Sequence, residues 1–331
     1  MVYKKSNGGE KMKPNMETTQ INPITKSRGK RIRYIKRYYS LYLLMLIPLT
    51  YFFVFKYVPM AYIQIAFKKY SIVKSVWEME WAGNNGFEYF IKAFSNRDFL
   101  YAIRNTFMLN ALDLVVGFPA PIILALLLNE LAFKGFKRIT QTIAYMPHFL
   151  SWIIISGMAL QLLAPTNGLV NIVLNRFGVE SIPFLNSPVH WVGTYILLGV
   201  WQSAGWSTII YLAAITGINP ELYEAAVVDG AGRLRKIWHV TLPGLRPTIV
   251  ILLIMSLGRI LGIEFDRPYA LGNKMVSDVS NVISTFVYTY GIRGLQFSLT
   301  TAVGLFQSII GVIFLLAASA IAKKFGERGI W

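Results

Sequence analysis

Hydrophobic residues in this 331-residue chain fall in long blocks, not at the short periods of soluble helices and strands. Six blocks are long enough to cross a bilayer, which takes about 20 residues per helix. They are 41–63, 107–128, 143–163, 191–214, 248–263 and 301–321. The pattern predicts an all-α membrane protein of six transmembrane helices. Pro48, Lys56 and Pro59 interrupt the first block, so its far end is expected to be irregular. The fifth block is the shortest. Prolines and glycines inside a span are tolerable because neighbouring helices re-satisfy the freed backbone groups.

The intervening stretches differ in kind. Residues 64–106 mix Trp77, Trp81, Phe87, Tyr89, Phe90 and Phe94 with balanced charge, which predicts a partly helical interfacial segment. Residues 164–190 are rich in Gly, Pro and Asn and predict a structured loop. In 264–300, the stretch 279–290 has helical spacing and is expected to re-enter the membrane surface. Gly304, Gly311 and Ala318 fall on one face of the sixth block, with Ser308 between them. Such a stripe lets a second helix approach, from this subunit or from another.

Composition sharpens this picture. Apolar residues are 54% and charged residues 15%, against about 25% charged in soluble globular chains. The net charge is +17, and residues 1–40 carry eleven Lys/Arg against two acids. A basic cluster abutting a hydrophobic span is first a topology signal, not a nucleic-acid footprint. The segments 1–40, 129–142, 215–247 and 322–331 hold 21 of the 33 Lys/Arg. Their bias predicts that both termini are cytoplasmic. The first apolar block begins about 40 residues in and exceeds a signal-peptide core, so no cleavable signal is expected. Cysteine is absent, and His148, His190 and His239 are dispersed without metal-ligand spacing. No catalytic constellation and no phosphate-binding Gly-x-x-x-x-Gly-Lys-Ser/Thr occurs.

The loop between blocks four and five is unlike a linker. Asn219 suits a helix N-cap, Pro220 the first helical position and Glu221 the first turn. Leu222, Ala225, Ala226 and Val227 make a small apolar surface, and Gly230 and Gly232 break the helix. A second short helix is expected over 233–240, ended by Pro243. A compact helical protrusion from a membrane domain is a candidate docking element.

Within it, Glu224-Ala225-Ala226, two residues, Asp229-Gly230-Ala231 and a closing Leu242-Pro243 resemble the EAA loop of ABC importer permeases. Ile237 stands where Phe is usual, with Trp238 beside it. The resemblance implies a type I importer permease (MetI-like) fold, in which this loop seats in a cleft of an ATPase subunit. Glu224 would pair or cap at that interface, the alanines would allow close approach, and Asp229 and Gly230 would hold the bend. It also implies partners: an ATPase subunit dimer, a second homologous permease, usually a different one, and an extracytoplasmic solute-binding protein. ATP and Mg²⁺ would belong to the ATPase, leaving this chain without a cofactor and not an enzyme, in a bacterial cytoplasmic membrane. The stretches 86–94, Arg104-Asn105-Thr106, Tyr145-Met146-Pro147, 168–171 and 301–306 look like the sugar-transporter branch. There the chain is similar to six-span permeases for complex oligosaccharides, including uronate-containing ones. The expected organisation is a basic tail 1–37, a first span with interfacial segment 38–106, a permease core 107–325 holding the coupling loop 217–246, and a tail 326–331. The basic tail suits anionic membrane lipid.

Polar residues inside spans are costly and mark candidate substrate contacts: Asn110, Asp113, Gln161, Trp201, Gln202, Tyr211 and Arg259, with Glu264 and Asp266 beyond. Trp201 and Gln202 suit a sugar, and Arg259 suits a sugar carboxylate. Alternatively these residues bond between helices, and Arg259 pairs with Glu264. Three other functions compete. An importer of this type could carry peptide, amino acid or phosphate. An ion-driven transporter would want more spans and inverted halves. An enzyme acting on lipid-linked sugars would want acids or histidines clustered at one membrane face.

Overall fold

A computed structural model describes residues 34–262 and 264–324. The basic tail before residue 34 and the tail 326–331 lie outside the described residues. Helices dominate; extended structure among the described residues is one isolated bridge, Lys68 with Trp81. Five helices are long and apolar enough to span a bilayer: Tyr39–Phe67, Arg97–Asn129, Pro188–Thr216, Arg233–Leu257 and Phe297–Lys324. A sixth span is a broken pair, Lys134–Phe149 and Trp152–Leu162, bent by 101°. Each of the six expected blocks falls on one of these five helices or on the bent pair. The third is not straight, because Pro147 sits in the turn Met146–Phe149 and Ser151 starts a new helix by accepting from the Ile154 N–H at 3.4 Å.

The chain divides into two compact units, Met1–Ala61 and Tyr62–Trp331. The first contains the helices Tyr39–Phe52 and Val58–Ala61 around a π turn at Phe53–Tyr57, and none of their residues is buried.

In the second unit the helices start and stop where caps and prolines dictate. The second span begins at Arg97, where the Asn96 side chain accepts from the Asp98 N–H at 2.9 Å. It therefore runs unbroken across the expected boundary at 106/107. The fifth span starts far earlier than 248 and ends at Leu257. Pro243 does not end a short helix before it; the helix continues through Pro243 and Pro247. A π turn at Ile237–Thr241 explains how. Proline has no N–H to donate, and its ring crowds the carbonyl four residues back. Widening the preceding turn relieves both problems. The same arrangement recurs at Asp113–Gly117 before Pro119 and at Phe53–Tyr57 before Pro59. The stretch 279–290 is also broken: helices Ser277–Ser280 and Ile283–Phe286 flank extended backbone at Asn281 and Val282.

Several stretches named for their resemblance prove to be braces. The buried Asn105 amide donates to the Asp278 and Asn281 carbonyls, each at 2.8 Å. Arg104 donates to the Asp278 carbonyl at 2.7 Å, and Thr106 Oγ1 accepts from the Ile283 N–H at 2.9 Å. Together they lock the second span onto the 277–286 segment. Asn171, also buried, bonds Ala164 and both backbone groups of Ile182, so 164–190 is structured as expected. The small stripe on the sixth span is largely used within the unit. Gly311 lies against the Gly258 carbonyl and Ala318 is buried beside Ile254, whereas Gly304 faces open space.

Candidate functional site: a charged cavity within the spans and an exposed loop

Where the second, fourth and fifth spans meet, a cavity of about 560 Å³ opens. Its wall combines ring faces, amides and charges: Trp152, Tyr195, Tyr211, Asn110, Gln202, Asp113, His148, Arg259, Glu264 and Arg267. A crossing of the third and fourth spans beside it is very close. Gly205 of the fourth span is buried against the Ala144 backbone, and beside it Trp206 stacks on His148 with centroids 4.7 Å apart.

The charges are ordered. Arg267 forms a two-pronged pair with Asp113, Nη1 to Oδ2 at 2.8 Å and Nη2 to Oδ1 at 3.3 Å. Nη2 also donates to the Tyr195 carbonyl at 2.6 Å. The guanidinium lies over the Tyr195 ring, 3.7 Å from its centroid, and 5.3 Å from that of Trp152. Space for it exists because residue 199 is glycine; a Cβ there would sit 2.8 Å from Nη1. Arg259 is exposed and makes no side-chain hydrogen bond or ion pair among the described residues. The expected Arg259–Glu264 pairing is therefore replaced by Arg267–Asp113.

Five of the seven sequence-derived substrate candidates, Asn110, Asp113, Gln202, Tyr211 and Arg259, line this one cavity. Asn110 also has a structural task. Beyond Leu257 the fifth span unwinds, and the Asn110 amide donates to the Ile260 carbonyl at 2.6 Å while Gln307 donates to Leu261 at 2.7 Å. Unwound backbone at membrane depth needs such partners. Gln161 and Trp201 are exposed and do not line this cavity. Asp266 is not in the lining either. Sequence reasoning missed Tyr195, Trp152 and Arg267. A usable signal existed: a lone Asp113 in an apolar run calls for a cation, and Arg259 lies in the fifth block with Arg267 just beyond it.

The loop between spans four and five has the expected bend. Its helix Pro220–Val228 is capped by Asn219, whose side chain accepts from the Glu221 N–H at 3.1 Å. It ends at Gly230, whose φ of +71° is the left-handed conformation glycine adopts without cost. The Tyr223 hydroxyl meets Thr241 Oγ1 at 3.0 Å, tying the loop helix to the fifth span. Glu224, Ala225, Asp229, Gly230 and Pro243 are exposed, and Ala226, Ala231 and Leu242 are half-buried. Leu222, Val227, Val228, Leu234 and Trp238 expose apolar side chains around them.

Apolar helices long enough to cross a bilayer, a charged cavity among them and an exposed bent loop together define a membrane permease. Residues 117–327 match the family described as binding-protein-dependent transport system inner membrane component, and the chain belongs to that family. It is the multi-pass permease subunit of an ABC-type importer in a bacterial membrane. The chain is 46% identical over 92% of its length, and 95% of the other protein's, to the polygalacturonan/rhamnogalacturonan transport system permease protein YteP of Bacillus subtilis (strain 168). It is 42% identical over 90% of its length, and 92% of the other's, to Protein LplB of the same organism. Among solved structures it resembles a chain of a bacterial alginate ABC transporter in complex with an alginate pentasaccharide-bound periplasmic protein. There the TM-score is 0.82 and the identity 38%, covering 90% of this chain and 99% of that one.

Proposed function

We propose that this permease translocates oligosaccharides, including uronate-containing ones, that a solute-binding protein delivers to the cavity between spans two, four and five. The loop 217–246 docks on a separate ATPase subunit dimer, which holds the ATP and Mg²⁺, and a second homologous permease completes the path. The observation that carries the reading is the cavity wall: aromatic faces for sugar rings, amides for hydroxyls, and Arg259 and Arg267 for carboxylates. The polygalacturonan/rhamnogalacturonan and alginate cargoes named for the relatives support the same substrate class. The basic loops support cytoplasmic termini and a cytoplasmic docking loop. Closure of the ATPases would push the loop helix, and the Tyr223–Thr241 contact and the continuous fifth helix would carry that push to the cavity.

The test uses the complete importer. Glu224→Ala and Gly230→Pro are expected to abolish cargo-stimulated ATP hydrolysis while the subunits still co-purify. Undiminished stimulated hydrolysis in both would refute the coupling. For cargo, cells carrying the importer should accumulate labelled oligogalacturonate; accumulation of labelled peptide instead would overturn the sugar assignment.

A further inference from the structure

The Asp113–Arg267 pair does more than neutralise two charges. Arg267 Nε is buried without a partner, and so is the Tyr195 hydroxyl beside it. A clasp built only for stability would satisfy those donors, because an idle buried donor costs stability. Here one idle donor belongs to a guanidinium whose fork already grips a carboxylate, and the other to the tyrosine whose ring that guanidinium covers. The two partners are unequally held. Arg267 is pinned by the Tyr195 carbonyl and packed on two rings, with its side chain 13% exposed, whereas that of Asp113 is 30% exposed. Water reaches the carboxylate more readily than the cation, so the carboxylate is the half that can leave.

We propose that Arg267 is the carboxylate receptor of the cavity, and that Asp113 occupies it as a stand-in until an acidic sugar arrives. The proposal rests on the uronate-oligosaccharide reading above and deepens it. Exchange of one carboxylate for another avoids the cost of stranding a buried cation, and the incoming sugar also offers hydroxyls to the idle donors. Arg259, exposed and without an ion-pair partner among the described residues, supplies attraction; Arg267, fixed in orientation, supplies discrimination.

The experiment measures initial uptake, by cells carrying the complete importer, of an oligogalacturonate and of its carboxyl-reduced neutral counterpart of equal length. The acidic-to-neutral ratio in each variant is divided by the wild-type ratio, which cancels the preference of the solute-binding protein. Asp113→Asn removes the competing charge and should raise the ratio several-fold. The neutral pair Asp113→Asn/Arg267→Gln should lower it about tenfold, the scale of one lost charge-assisted bidentate contact. If that double variant fails to assemble, Arg267→Lys, which keeps the charge but loses the fork, should still lower the ratio. An Asp113→Asn ratio that is unchanged or lowered overturns the proposal, and so does a loss of both cargoes in equal proportion in every variant. Failure of the wild type to take up oligogalacturonate would instead refute the underlying cargo assignment, and it is read in a separate arm.

Discussion

Gly205→Ala tests whether the cavity wall depends on direct backbone contact. A Cβ at position 205 would lie 2.5 Å from the Ala144 carbonyl carbon, with the carbonyl oxygen nearer still. Carbon atoms in contact sit about 3.5 Å apart, so the fourth span and the first arm of the third must part by roughly 1 Å. The obstacle is main chain on both sides, so no side chain can swing aside. Overpacking of this kind costs about 1–3 kcal/mol, and the rigid partner puts it near 3. Alanine returns about 1 kcal/mol of helix propensity, leaving a net loss of roughly 2 kcal/mol. Gly193, on the same helix with nothing within 4 Å of an added Cβ, is the matched control and receives only the gain. The two variants should therefore differ by about 3 kcal/mol, or roughly 5 °C or more in the melting temperature of the purified complex. Gly205→Ala should also open the His148–Trp206 stack and reduce uptake. Equal melting temperatures for the two variants would refute the backbone contact.

Asn105→Ala should strip the donor from the Asn281 carbonyl, while the Asp278 carbonyl keeps Arg104, and destabilise the complex by about 1–3 kcal/mol, with faster hydrogen exchange over 277–286. Gly230→Ala, forced to keep φ at +71°, should cost about 1–2 kcal/mol in the docking loop, seen as increased proteolysis there. The Glu88 carboxyl is held below the usual carboxylate range first by the hydrogen bond from Lys92, then by the Gly83 N–H. Its contribution is present above the unfolded-state pKa and fades as pH falls through the lower folded value; Lys92→Met should move the carboxyl midpoint upward in a side-chain NMR titration.

The spans were legible because length and apolarity alone identify them, and the loop because its caps, prolines and glycines act locally. Their boundaries were less so. Arg97 belongs to the second span because Asn96 caps it, and a cap beyond the apolar block leaves no trace in hydropathy. The 101° bend was marked only by Pro147, a residue that elsewhere in this chain is absorbed into a continuous helix. Asp113 stood out as an anomaly, yet its partner lies 154 residues away, and no periodicity connects positions so distant. Trp201 and Gln202 read as one sugar-binding pair, but adjacent helical residues point about 100° apart; only Gln202 reaches the cavity. Arg104-Asn105-Thr106 read as a signature, and its meaning as a brace needed the 277–286 segment in place.

Three of the spans carry a π turn ending two residues before a proline, and the one in the second span opens at Asp113 itself. A π turn is one residue of surplus winding. Five residues of π winding turn the chain about as far as four of α, so deleting one from 114–117 would return the turn to α geometry with little rotation of its two sides, whereas a deletion in plain α helix rotates them by about 100°. Asp113 and Pro121, on the two sides of that turn, both line the cavity; a rotation of that size would put them on different faces. Insertions and deletions in the spans are therefore not equivalent to those in the loops. The cavity lining tolerates loss of the surplus residue within 114–117 better than loss of a residue elsewhere in the span.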